Sequence, residues 1–146
     1  MNQEAKDNHG EPCVVHLHGW SGTGKTFGLE EFERKHPGSI QILTPDSLQQ
    51  PFDVSIVDFN NYECVAIDEA SMWEAKSVAS AISKLIIDAK WRGKKIILVT
   101  QAEDDLGRMG IELSTEPMKV CLGGRHETLD LTYDGKHVRF REPARV

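Results

Sequence analysis

The sequence predicts a single α/β domain, in which helices cover both faces of a mostly parallel sheet and an antiparallel hairpin completes the chain. Three observations predict this fold. Short apolar runs alternate with helical patterns over residues 13–122. A glycine-rich loop directly follows the first apolar run. Near the C-terminus, Asp134-Gly135 separates two strand-like runs, which is the signal of a tight hairpin.

The predicted elements follow from local patterns. A helix begins at the glycine-rich loop and stops at Pro37-Gly38, and a short helix begins at Thr44-Pro45. The longest helix carries apolar residues at steps of three and four from Ala75 to Ala89, and Gly93 follows its end. The stretch from Asp104 to Glu116 has weak patterning and is predicted as a connection. The predicted strands are Cys13–His18, Ser39–Leu43, Glu63–Asp68, Lys95–Thr100, Met118–Leu122, Thr128–Leu131 and His137–Phe140.

Length and composition indicate one soluble domain. The chain has 146 residues, of which 27% are charged and 39% hydrophobic, and its formal net charge is −6. Any contact with a polynucleotide must therefore be made by a local basic patch. We expect residues 1–11 to form a flexible leader and residues 12–146 to form the domain. No apolar run approaches the roughly 18 residues of a membrane span. We therefore expect a cytoplasmic protein that has no membrane span.

The most informative motif is GWSGTGKT, which runs from Gly19 to Thr26 and matches the phosphate-binding pattern G-x-x-x-x-G-K-[ST]. Gly19 and Gly24 allow the backbone to turn so that its N–H groups surround an anion. Lys25 supplies charge to the β- and γ-phosphates, and the hydroxyl of Thr26 is a ligand for Mg²⁺. The motif predicts binding of ATP and Mg²⁺. The predicted nucleotide-binding residues are Gly19, Ser21, Gly22, Thr23, Gly24, Lys25, Thr26 and Phe27.

A second motif supplies carboxylates. The apolar strand Val65-Ala66-Ile67 ends in Asp68-Glu69, which is a weak signal alone and a strong one in combination with the phosphate loop. We expect Asp68 to hold Mg²⁺, as such a carboxylate usually does through water, because Mg²⁺ keeps most of its hydration. Glu69 is placed to orient and deprotonate the attacking water, and the alternative is that it only caps the following helix. Asp58 is the alternative acid, but no apolar strand ends at it.

The third candidate position is Gln101, which follows the strand Lys95–Thr100. Ligands of open α/β sheets bind at the carboxyl ends of the strands. If this strand lies between the phosphate-loop strand and the Asp68 strand, Gln101 can contact the γ-phosphate or its attacking water. The alternative is that Gln101 is a polar residue at the start of a loop.

These motifs resemble those of the additional-strand, catalytic-glutamate branch of the P-loop ATPases. The segments that carry the resemblance are GWSGTGKT (19–26), VAIDEA (65–70) and WRGKKIILVTQ (91–101). Within that branch the chain looks most like the DNA-pumping FtsK/HerA class and the Zot-like assembly ATPases of filamentous phages. The resemblance implies a RecA-like core, a ring of subunits, and Arg92 acting as an arginine finger in the neighbouring subunit. Zot-like proteins usually carry a transmembrane segment, and this sequence shows none.

Two other classes share parts of the pattern. Superfamily-1 helicases have a motif similar to IDEASM (67–72), but they need a second motor lobe. Small viral superfamily-3 helicases have a similarly short spacing between the phosphate loop and the acidic residue. Superfamily-3 proteins have Asn at the position of Gln101. The alternative outside the motor proteins is an ATP-gated switch or assembly subunit.

Several other residues have both structural and functional interpretations. His16 and His18 share one strand face, and we expect them to be polar spacers under a helix rather than zinc ligands. Trp73 and Trp91 flank the long helix as expected packing anchors, whereas Trp20 is placed to touch nucleotide or a neighbouring subunit. Three cysteines are expected to be buried thiols. Basic clusters lie at Lys90, Arg92, Lys94 and Lys95 and at Arg125, Lys136, Arg139, Arg141 and Arg145. Such clusters are typical of a solvated face, and the C-terminal one is also a candidate contact for a polynucleotide or an acidic partner.

Overall fold

The computed structural model describes residues 13–19, 25–43, 56–68, 76–113, 117–121 and 130–141. The predicted leader and the short helix at Thr44 lie outside these ranges. None of the helices within them combines the length and apolarity needed to cross a bilayer.

In the part of the chain that the structure describes, five parallel strands form the main sheet, and their spatial order is β2-β3-β4-β1-β5. Strands β1, β3 and β4 are buried along nearly their whole length, which explains their nearly continuous apolar sequences. Strand β4 pairs with β1 on one side and with β3 on the other. The strands are β1 (Val14–His18), β2 (Ile40–Leu43), β3 (Cys64–Ile67), β4 (Lys95–Thr100) and β5 (Met118–Cys121).

Within the described ranges, three helices connect the strands. Helix α1 covers Lys25–Lys35 and follows the glycine-rich loop, and α2 covers Lys76–Arg92. Helix α3, Asp105–Met109, lies within the stretch that the sequence predicted as a connection. Five residues are too few to show helical periodicity. The helix ends at Gly110, whose φ of 84° is in the left-handed region that glycine adopts without strain.

Each face of the sheet has its own apolar core, as the alternation of strand residues requires. On one face, α1 packs through Leu29 and Phe32. On the other, α2 packs through five buried residues and α3 through Leu106. The α2 residues are Ala79, Ile82, Leu85, Ile86 and Ala89. The predicted arrangement of helices on both faces is therefore confirmed.

The C-terminal hairpin is also confirmed. Strands β6 (Asp130–Tyr133) and β7 (Val138–Arg141) pair antiparallel around the turn at Gly135. Val138 is buried in the α1-side core, and the ring of Tyr133 meets that of His36 at 5.9 Å. The hairpin thus covers the sheet beside the C-terminal end of α1.

Two smaller predictions have different outcomes. Trp91 was expected to be a packing anchor, and this is wrong, because its position on α2 faces away from the sheet and leaves it 85% exposed. Cys64 is a buried free thiol, as expected, whereas Cys13 is a free thiol that is only half-buried. Burial raises the pKa of both thiols, so they stay protonated and unreactive. Trp20 and Trp73 lie outside the described residues.

Candidate functional site

The carboxyl ends of β1, β3 and β4 meet at one edge of the sheet, hereafter the loop edge. Strand β4 lies between the phosphate-loop strand β1 and the Asp68 strand β3, as the proposed role of Gln101 required. Neighbouring strands are about 4.8 Å apart, so β1 and β3 are separated by roughly 10 Å. That gap is wide enough for a phosphate group and its ligands to lie across the end of β4.

The phosphate loop spans the distance from β1 to α1. Strand β1 ends at His18 and α1 begins at Lys25, so the first turn of the helix lies at the loop edge. That turn contains no acidic residue, and its backbone N–H groups therefore keep their attraction for an anion. Lys25, Thr26 and Phe27 are in this turn; the structure describes their backbone only. The other loop positions, Ser21, Gly22, Thr23 and Gly24, lie outside the described residues.

Asp68 follows the last residue of β3 and is 1% exposed. Its backbone N–H donates to the carbonyl of Leu43 at 2.8 Å, which attaches it to the end of β2. A carboxylate is a ligand that Mg²⁺ prefers, so the chemistry of Asp68 and of the Thr26 hydroxyl fits this ion. Glu69, the predicted base, lies outside the described residues.

Gln101 lies at the same edge with an exposed side chain. Its backbone carbonyl accepts a hydrogen bond of 3.1 Å from the N–H of Gly19, the first residue of the phosphate loop. Its own N–H donates to Oδ2 of Asp105 at 3.2 Å, and the N–H of Ala102 donates to the same atom at 2.9 Å. Gly19, Asp68 and Gln101 are therefore brought to one edge by three different strands.

Two other candidates lie away from this edge. Arg92 is the last residue of α2 and lies three residues before β4 begins, so it is near the amino ends of the strands, opposite the loop edge. Its Nε donates to Asp88 at 3.0 Å and its guanidinium to Asn60 at 3.3 Å. The alternative acid Asp58 precedes β3, where its carboxylate accepts hydrogen bonds from Asn61. Neither residue shares a site with Asp68 in the same subunit.

The sequence did not single out Asp105, which holds the backbone of Gln101 and Ala102 in place. Asp105 lies five residues after the predicted strand end and is the first residue of α3, and an acidic residue at a helix start was the local signal available in the sequence. His16 and His18 do share a strand face, with ring centroids 5.1 Å apart. Among the described residues, no third His, Cys, Asp or Glu joins them in a metal-binding group.

Comparison with known proteins gives similar folds. No protein-family model matches the sequence, and no curated protein shows significant similarity to it. A DNA replication initiation factor aligns with 82% of this chain and 43% of its own, with a TM-score of 0.52 and 14% identity. Domain III of the Thermotoga maritima replication initiation protein DnaA aligns with 80% of this chain and 58% of its own, with a TM-score of 0.48 and 13% identity. The replication initiator DnaA bound to AMPPCP and single-stranded DNA aligns with 80% of this chain and 43% of its own, with a TM-score of 0.46 and 17% identity.

This chain thus spans less than half of the first of these structures. At 14% identity the likeness concerns the fold. The order of the parallel strands, the helices on both faces and the added hairpin are those of an α/β P-loop NTPase fold, as the sequence predicted.

Proposed function

We propose that this chain is a Mg²⁺-dependent ATPase that uses hydrolysis to translocate or package nucleic acid, or to assemble a phage or virus-like particle. The observation that carries the proposal is the position of the motif Gly19–Thr26. It connects the end of a buried parallel strand to the first turn of a helix, at the edge where Asp68 and Gln101 also lie. Strand, loop and helix in this order are the context in which the motif binds phosphate.

Each residue then has a defined task. The loop N–H groups and Lys25 hold the phosphates, while Thr26 and Asp68 would hold Mg²⁺, which supplies positive charge to the phosphate oxygens when bound. Glu69 takes a proton from the attacking water as general base. Gln101 hydrogen-bonds to the γ-phosphate or that water, and so distinguishes ATP from its product.

The finer class is proposed from the sequence resemblance. The catalytic glutamate and a strand that ends in Thr-Gln favour the FtsK/HerA and Zot-like ATPases, which assemble as rings. Arg92 is too far from its own loop edge to contact its own nucleotide. It is 47% exposed in its side chain, so a neighbouring subunit can meet it. We therefore propose a ring in which Arg92 serves the site of the next subunit.

Nucleic acid is the proposed partner, and local basic patches would bind it. Lys136 and Arg139 are exposed on the hairpin, and Lys90 and Arg92 are exposed at the end of α2. Both groups lie away from the loop edge, so DNA bound there would leave the nucleotide accessible. We also propose a cytoplasmic location.

Two alternatives remain candidates. One is a small replication helicase of the superfamily-1 or superfamily-3 type, or another ATPase of DNA replication, the process named for the structural neighbour. The other is an ATP-gated switch that turns over slowly. Steady-state hydrolysis with and without single- and double-stranded DNA separates them: strong stimulation by DNA supports a motor or helicase, and none supports the switch.

Two variants test the site itself. Glu69→Gln keeps shape and removes the base, so we expect tight ATP binding with turnover lower by roughly 10²-fold or more. Lys25→Ala should remain folded and lose tight ATP binding, measured by calorimetry. Wild-type turnover in Glu69→Gln, or wild-type affinity in Lys25→Ala, contradicts the assignment.

A further inference from the structure

A second polar cluster lies behind the loop edge, on the face of the sheet that α2 and α3 cover. His16 of β1 and Thr100 of β4 are each 1% exposed. Nε2 of His16 lies 2.7 Å from Oγ1 of Thr100, so a buried side-chain hydrogen bond connects the phosphate-loop strand to the strand that ends at Gln101.

The direction of this hydrogen bond follows from its neighbours. The hydroxyl of Thr100 donates to the carbonyl of Ala102 at 3.0 Å, so it accepts the proton of His16 Nε2–H. Burial lowers the pKa of His16 to about 4, and the ring is therefore neutral at physiological pH. The neutral tautomer with its proton on Nε2 satisfies both hydrogen bonds of the Thr100 hydroxyl.

The same turn is held from two further directions. Gly19 donates to the carbonyl of Gln101, and Asp105 accepts from the N–H groups of Gln101 and Ala102. Both backbone polar groups of Gln101 thus have partners, one of them in the phosphate loop. The exposed side chain of Gln101 projects from a backbone that β1 and α3 together hold in place.

We propose that His16 is a positioning residue that keeps Gln101 in register with the phosphate loop. It acts through Thr100 and Ala102 and touches no nucleotide. The inference rests on the proposed function for its catalytic consequence. Groups that contact a reacting phosphate must be held within about 0.5 Å of the productive geometry, which requires packed and hydrogen-bonded support of this kind.

Hydrogen exchange tests the coupling without reference to catalysis. His16→Leu and Thr100→Val each remove the hydrogen bond, whereas His16→Gln and Thr100→Ser retain a donor or a hydroxyl. We expect the amides of Gly19, Gln101 and Ala102 to exchange roughly tenfold faster in the first pair and near the wild-type rate in the second. Amides of the β3–β4 ladder serve as the internal reference. Unchanged exchange at Gly19 in His16→Leu overturns the proposal.

The kinetic readout separates positioning from a merely structural role. We expect His16→Leu to lower kcat for ATP roughly tenfold with KM within about twofold, and His16→Gln to restore kcat. The double variant with Thr100→Val should be no slower than either single variant, because both changes remove one interaction. A loss of thermal stability with kcat unchanged overturns the proposal. A wild-type protein without ATP turnover contradicts the proposed function instead, and the exchange result still decides whether His16 couples the two segments.

Discussion

His16 shows how one buried residue links site geometry to pH. Burial is the largest cause of its lowered pKa of about 4. Among the charged groups that face it, His18 and Lys119 lower the pKa further, and Asp105 and Glu103 raise it. In the unfolded chain the ring titrates near 6.5. Between these values the unfolded state binds the proton and the folded state does not.

This difference predicts a pH dependence of folding. As pH falls from 6.5 toward 4, protonation of His16 in the unfolded chain lowers the free energy of unfolding, and the effect is complete below about pH 4. His16→Gln removes this contribution. We expect the urea midpoint to fall less between pH 7 and pH 4.5 in the variant than in the wild type. Carboxylates titrate in both proteins, so parallel midpoint curves would contradict the prediction.

At the scale of elements, α2 illustrates how one helix has two chemically different faces. Ile82 is fully buried against the sheet, whereas Ile87 is 48% exposed. The exposed face continues to Trp91 and then Arg92 at the helix end. The buried face holds the helix to β3 and β4, and thereby supports the strands that carry Asp68 and Gln101.

The two isoleucines form a matched pair for a stability experiment. Ile82→Ala leaves a cavity between helix and sheet, so we expect a loss of about 2–5 kcal/mol in the free energy of unfolding. Ile87→Ala removes exposed surface from the same helix and should change it by less than about 1 kcal/mol. Denaturant unfolding of both variants measures the difference. Equal losses would show that α2 does not pack on the sheet through the Ile82 face.

At the scale of the whole molecule, the two edges of the sheet carry different chemistry. The loop edge holds the phosphate loop, Asp68 and Gln101, and α2 delivers Arg92 to the opposite edge. If one subunit contacts its neighbour head to tail, the loop edge of one meets the opposite edge of the other. Such contacts form a closed ring when the rotation that relates neighbouring subunits divides a full turn evenly. An arginine supplied in this way is worth about 10³–10⁵ in turnover.

Mixing inactive subunits tests this arrangement. We expect Arg92→Ala and Lys25→Ala each to lack activity, and a mixture to regain part of it, because some interfaces then combine an intact loop with an intact arginine. Asp88→Ala is the matched control, since it removes the ion pair of Arg92 but keeps the arginine. Normal turnover in Arg92→Ala, or no recovery on mixing while light scattering shows assembly, contradicts the arginine finger and favours a monomeric switch.

Local patterns were sufficient to predict the buried strands and α2 from the sequence. Glycine positions, apolar runs and helical periodicity reflect conformational preferences within a few residues, so they can be recognised in the sequence alone. The elements that flank the motifs at Gly19–Thr26 and Asp68 were therefore predicted correctly, and the chemistry of the candidate site stays a prediction. The residues of α3 escaped prediction because a five-residue helix has too little sequence to show a period.

Contacts between distant residues were decided by the tertiary structure. The position of β4 between β1 and β3 depends on strand pairing, which no local pattern encodes. The hydrogen bond from His16 to Thr100 joins residues 84 positions apart. Trp91 is apolar in sequence and exposed in the fold, because burial depends on which helix face meets the sheet. Sequence thus predicted which groups the candidate site contains, and folding determined which of the described groups lie together, since such proximity is set by long-range packing rather than by local preference.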